Sequence, residues 1–182
     1  MDLMQRVQGI LLKPKDEWVK IKGEPATVSG LFTSYAMILA AIPAVSQFLG
    51  NVLIGRRLPF VGYYKWDAGR ALGHAVFTYV FALATVYIFA LIINALKLAV
   101  YSMTPGWVAG VFYIIPALWV LGILASLYGL YILYLGFETP MMDTPKEKVM
   151  GYLGVSILVA IGLYVVFGLL LGAIFAVRYS AL

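Results

Sequence analysis

The ionisable residues nearest to doing chemistry are Glu138 and Asp143, which flank Thr139-Pro140-Met141-Met142, and the single histidine, His74. Two carboxylates can hold a divalent ion and activate a water, but that chemistry needs a third ligand or a base, and none follows in the sequence. One imidazole cannot build a zinc site that takes three or four protein ligands. There is no cysteine, which removes disulfides, thiolate nucleophiles and cysteine-ligated metals. Walker A, nucleophile-elbow and His-Glu-x-x-His patterns are absent as well. The expectation is a protein that is not an enzyme and carries no cofactor. His74 has Arg70 and Asp67 at helical spacing before it and is expected at a membrane interface, and Glu138 and Asp143 are expected in a rigid loop.

The segments that hold these residues are dominated by apolar character. Apolar residues make up 63% of the 182 positions and charged residues 12%, against about half and a quarter in soluble domains. A chain this short cannot hide that excess in one core, so its solvent must be lipid. The net charge of +5 comes from Lys and Arg near the ends of apolar runs, which reads as anchoring and orientation and not as nucleic-acid binding. Residues 1–22 are too long and too mixed in charge for the basic start of a secretory signal, although Ala44-Val45-Ser46 loosely resembles a cleavage site.

Three runs, about 31–55, 71–96 and 149–177, lack Asp, Glu, Lys and Arg and exceed the roughly 20 residues that cross a bilayer core. A fourth, Leu98 to Phe137, is forty residues long. As one straight helix it would reach about 60 Å, twice the core thickness, so it must turn. Pro116 divides it into halves that each match one span, and Pro105-Gly106 is the competing break. The hairpin at Pro116 predicts an all-α polytopic bundle of five spans at about 31–54, 71–96, 98–115, 116–137 and 150–177, forming one domain over 1–182. Pro105 then sits at a bend, where neighbouring helices must satisfy the freed carbonyl.

With the N-terminus inside, Arg6, Lys13, Lys15, Lys20, Lys22, Lys97, Lys146 and Lys148 face the cytoplasm. Arg56, Arg57, Lys65, Arg70 and Arg178 face the other side, and eight against five favours that orientation. Before the first span, residues 1–24 form an amphipathic segment. Leu3, Met4, Val7, Ile10 and Leu11 share one helical face, with Asp2, Gln5, Arg6 and Gln8 elsewhere. Pro14 starts a second short helix, whose Trp18, Lys20 and Lys22 are candidates for interfacial anchoring. The segment either lies on the membrane or packs on the bundle as a plug. The aromatic and basic loop Arg56 to Arg70 reads as an interfacial belt, with a binding loop as the sharper alternative.

Gly69/Gly73, Gly106/Gly110 and Gly168/Gly172 match the small-residue spacing that lets helices approach, and favour internal packing over oligomerisation. Gln47, Asn51, Asn94 and the hydroxyls of Ser34, Ser46, Thr78, Thr85, Ser126 and Ser156 read as hydrogen-bonding glue between helices. Asn94, Lys97 and Pro105 are the candidate polar contacts for a transport path, since interrupted helices frame binding sites.

Several stretches carry a family resemblance. Tyr101-Ser102-Met103-Thr104-Pro105, Tyr131-Ile132-Leu133-Tyr134-Leu135-Gly136-Phe137 and the run from Met141-Met142-Asp143-Thr144-Pro145 to Gly151-Tyr152 resemble the Yip domain family. The opening Leu11-Leu12-Lys13-Pro14-Lys15-Asp16-Glu17-Trp18 is similar to its prokaryotic members. The resemblance implies five spans, a cytoplasmic N-terminus and, in eukaryotic members, association with Rab-type GTPases in vesicle traffic. Those members carry a long cytoplasmic region with an Asp-Leu-Tyr-Gly-Pro motif, which this chain lacks, so GTPase binding does not carry over on matching residues. The resulting expectation is a compact, prokaryotic-type scaffold or adaptor of the inner membrane. Its partner-docking residues would be Glu138, Pro140, Asp143, Pro145, Lys146 and Lys148, and its partners the lipid bilayer, a membrane or cytoplasmic protein, or a second copy. The alternative is a small channel or carrier for a neutral solute or lipid.

Overall fold

The computed structural model describes residues 2–58, 62–93, 95–138, 142 and 144–175. Two short helices open the chain, α1 (Leu3–Leu12) and α2 (Pro14–Gly23). Pro14 occupies the first turn of α2, where its missing N–H costs nothing. Asp16 and Glu17 sit at the positive end of that helix, and Lys20 and Lys22 at the negative end.

The first long helix runs continuously from Val28 to Ile54. It comprises α3 (Val28–Leu31), a π turn, α4 (Met37–Leu49) and a second π turn. Thr27 caps its start, the hydroxyl accepting from the Gly30 N–H at 3.0 Å. A hairpin of β1 (Arg56–Leu58) and β2 (Gly62–Tyr64) follows, pairing Arg56 with Tyr64. This hairpin is a departure from the all-α expectation. Gly55, at φ 73°, makes the turn into it.

Next come α5 (Ala68–Ile92), α6 (Leu96–Ser102) and α7 (Thr104–Ala109), the last leading into a 3-10 turn over Gly110–Ile114. The chain reverses at Ile115, whose extended backbone is what a residue preceding proline adopts. From Pro116 it enters α8 (Trp119–Glu138), and α9 (Lys146–Phe175) completes the described chain.

Among the described residues, four helical stretches are long and apolar enough to cross a membrane: Val28–Ile54, Ala68–Ile92, Pro116–Glu138 and Lys146–Phe175. The expected continuous span at 98–115 is instead three short helical pieces. Pro105 has no N–H to give to the carbonyl of Tyr101, four residues back, so the helix cannot continue through it. The freed carbonyl is satisfied locally, by the Thr104 hydroxyl at 2.7 Å, and not by a neighbouring helix as expected.

This broken segment nonetheless lies along the whole bundle. Tyr35 meets Thr104, Pro43 meets Gly110, and Gly50 meets the backbone of Tyr113 and Ile114, so it runs parallel to the first long helix. On its other side Gly136 meets Leu98, Gly129 meets Ser102, Ser126 meets Gly106 and Gly122 meets Tyr113, which makes α8 antiparallel to it. The two sets of contacts span both helices from end to end.

The glycines of α8 recur at seven-residue spacing, and each faces the broken segment. A Cβ at Gly129 would lie 2.6 Å from the carbonyl oxygen of Ser102. Without a hydrophobic drive between helices in lipid, such close backbone approach is what holds them together. Of the three expected glycine pairs, Gly106/Gly110 does this. Gly168 and Gly172 meet nothing within 4 Å, and Gly73 meets the Phe175 ring. The most apolar stretch of α9 is 0% buried, so the rest of the chain leaves that stretch uncovered.

Two of the short hydroxyls expected to link helices bond backward within their own helix, and the buried Ser156 hydroxyl has no partner among the described residues. Ser34 donates to the Gly30 carbonyl and Ser126 to the Gly122 carbonyl, as short side chains four residues along a helix can do. Longer side chains make the crossings. Tyr79 donates to the Met37 carbonyl at 3.2 Å and Tyr128 to the Leu11 carbonyl at 2.8 Å.

Replacing Gly129 by valine should lower stability in detergent by about 1–3 kcal/mol, because the added carbons overlap backbone that cannot retreat. The same change at Gly162, with nothing within 4 Å, should leave the melting temperature nearly unchanged. Thermal unfolding of the two variants distinguishes them.

Candidate functional site

The charged residues at the α1–α2 end of the bundle are drawn inward. Arg6 is 4% exposed and Glu17 1%, and the guanidinium meets the carboxylate at 2.6 Å. Arg6 also pairs with Glu24 and stacks over the Tyr101 ring at 5.5 Å, while Lys20 reaches Glu17 at 3.1 Å. Burying two ions is costly unless both are fully engaged, and here each has at least two partners. Three N–H donors of Arg6 and Lys20 thus converge on two carboxylates, with Arg6 and Glu17 buried and Lys20 and Glu24 partly open to solvent.

Sequence reasoning placed Arg6 on the polar face of α1. At 3.6 residues per turn it falls beside Ile10 on the flank of the apolar face, which is the signal that could have found it. Val7 and Ile10 are buried as expected, whereas Met4 on the far edge is exposed.

Trp18 corrects another expectation. It is fully buried and packs against Gly136, and its indole N–H donates to the Ile132 carbonyl at 3.1 Å. It anchors α2 into the bundle and does not face headgroups. Tyr101 meets it edge-on at 6.2 Å, and Tyr35 meets Tyr101 at 4.8 Å. The Thr104 hydroxyl spends its one proton on Tyr101, so the Tyr35 hydroxyl must donate to it, at 2.8 Å.

Of the two open alternatives, plug or surface helix, α1 and α2 take the first: they pack on the bundle. Lys20 is exposed apart from its bond to Glu17, and Lys22 is exposed at the last turn of α2. Lys97 donates to the backbone carbonyls of Ile21, at 2.7 Å, and Glu24. A cation on the last carbonyls of a helix satisfies acceptors that have no partner within it. Lys97 is therefore the C-terminal clamp of α2. Pro105 is buried in the first turn of α7, and Asn94 lies outside the described residues.

The candidate docking residues lie at the same end, since Gly136 touches both Trp18 and Leu98. Glu138, Pro145, Lys146 and Lys148 are exposed, and Pro140 and Asp143 lie outside the described residues. Phe137 stacks on Tyr152 at 6.0 Å and Val149 is buried, which fixes the start of α9 against the end of α8.

The opposite end holds an aromatic clasp. Trp66 and Phe175 flank His74 at 5.0 and 5.3 Å, and Arg70 lies over Trp66 and donates to the Phe175 carbonyl. His74, on α5, is thus packed between Trp66, just before that helix, and the end of α9. Among the described residues no group of three His, Asp or Glu is placed to hold a metal.

Apolar helices long enough to span, with charged residues confined to their ends, define a polytopic α-helical integral membrane protein. The family model for the Yip1 domain matches residues 9–170, and the chain belongs to that family. It is similar to the inner membrane protein YohC from two strains of Escherichia coli, at 29% identity in each case, over 80% of this chain and 83% of the relative. No solved structure matches it.

Replacing Arg6 by methionine should destabilise the protein by about 3–5 kcal/mol, because Glu17 stays buried with Lys20 alone. Converting Arg6 to methionine and Glu17 to glutamine together should recover most of that loss. Chemical denaturation in detergent checks both.

Proposed function

We propose that this chain is a non-enzymatic scaffold or adaptor whose cytoplasmic end docks a protein partner. The observation that carries the reading is the contrast between the two ends of one bundle. At the α1–α2 end, a plug held by Trp18 and the Arg6–Glu17 pair stands beside the exposed Glu138, Pro145, Lys146 and Lys148. A rigid support under a charged, proline-bounded surface suits recognition, because little ordering remains to be done on binding.

Five crossings accompany this reading. The broken segment 96–114 is flanked by the first long helix and α8, and a fifth crossing makes the ends alternate as the excess of lysines and arginines favours. The eight cationic residues then face the cytoplasm with the N-terminus, and the relatives' inner-membrane location supports the cytoplasmic membrane as its site. The channel or carrier alternative draws on the break at Pro105 beside Asn94 and Lys97 in the sequence; the break itself is packed, with Thr104 0% exposed and Trp107 6%.

A photoreactive residue in place of Thr144, crosslinked in native membranes, tests the docking face. The expected product is one dominant protein adduct, abolished when Pro145 is replaced. Adducts with lipid alone would contradict the adaptor reading.

A further inference from the structure

A cavity of about 480 Å³ opens between the plug and the bundle, with Ile21, Glu24, Thr27, Ser34, Lys97 and Tyr101 among its lining residues. Its volume falls within the usual range for small-ligand sites. Its charged lining residues are Glu24 and Lys97, and the Glu24 carboxylate is engaged by Arg6. Arg6 and Lys20 are matched by Glu17 and Glu24, whose carboxylates are turned to them. Lys97 adds a further positive charge, and its hydrogen-bond partners among the described residues are two backbone carbonyls. An ammonium has three N–H donors, so one remains for a ligand. The Thr27 oxygen accepts from Gly30, which leaves its own proton to donate. Ile21, Leu31 and the flank of Tyr101 supply apolar wall. The cavity lies where the first long helix begins, at the edge of the lipid-facing surface.

We propose that this cavity binds a phosphate ester of net negative charge attached to an apolar or glycerol-like body, with Lys97 and Thr27 holding the phosphate oxygens. A charge-assisted bond to phosphate from Lys97 and an apolar shelf for the rest of the ligand account for both kinds of lining. The chemistry is shared by the headgroup of an anionic phospholipid and by a soluble phosphate ester. The site does not depend on the docking face, since a chain that captures no protein can still be measured for it.

The test uses the full chain in detergent, titrated with short-chain phosphatidylglycerol, short-chain phosphatidylcholine and glycerol 3-phosphate. Two variants are compared with the wild type. Lys97→Gln removes the charge. Ser34→Phe fills the cavity and leaves the Lys97 clamp on α2 untouched, so it remains informative if loss of the clamp loosens the plug. Saturable binding of phosphatidylglycerol in preference to phosphatidylcholine, weakened about tenfold or more in both variants, supports the site with lipid as its ligand. The same pattern for glycerol 3-phosphate alone supports it with a soluble ester. Equal affinity in wild type and Ser34→Phe, no preference for the anionic ligands, or no saturable binding of any of the three overturns it.

Discussion

Everything in this molecule follows from the requirement that backbone polar groups inside a bilayer find partners within the protein. The stretch from Leu96 to Ile114 meets that requirement least easily, because Pro105 removes a donor and the helix breaks around it. The repair is a chain of three side chains. Thr104 takes the orphaned Tyr101 carbonyl, Tyr35 donates to Thr104, and the Tyr101 ring packs on Tyr35 and Trp18. Shielding the break from lipid then requires close neighbours on both sides. The first long helix and the glycine face of α8 supply them.

The same chain of contacts reaches the N-terminal plug. Tyr101 lies beneath Arg6, and Trp18 wedges between Tyr101 and the Ile132 carbonyl. The buried ion cluster is thus continuous with the repair of the broken helix. Loss of the plug would expose both a charged pair and the neighbourhood of an irregular backbone. That coupling explains why an amphipathic segment able to lie on a membrane surface packs inside the protein: Glu17, Glu24 and Tyr101 give Arg6 more partners than water and headgroups at an interface would hold in place.

Much of this fold was legible in the sequence. Runs free of charge located the helices Val28–Ile54, Ala68–Ile92, Pro116–Glu138 and Lys146–Phe175 to within a few residues, because crossing length is set by the bilayer. The turn at Pro116 was legible for the same reason, a length that had to be halved. What escaped depended on pairings between distant residues. Arg6 looked like a polar-face residue until Glu17 and Glu24 were brought to it, and Trp18 looked like a headgroup anchor until Gly136 left space for it. The heptad of Gly122, Gly129 and Gly136 was in view, but a search for four-residue spacing passes over it. Of the docking residues, Glu138, Pro145, Lys146 and Lys148 share one exposed end, and the role assigned to them rests on that placement.

The central claim is that residues 96–114 cross the membrane as a broken helix. The chain has no cysteine, so single introduced thiols report without background. Lys15→Cys, Ala117→Cys and Lys146→Cys, each probed in intact cells and in inverted vesicles with a membrane-impermeant maleimide, measure it directly. The account predicts labelling of positions 15 and 146 from one side and of position 117 from the other. Labelling of positions 15 and 117 from the same side, with position 146 from the other, would contradict it.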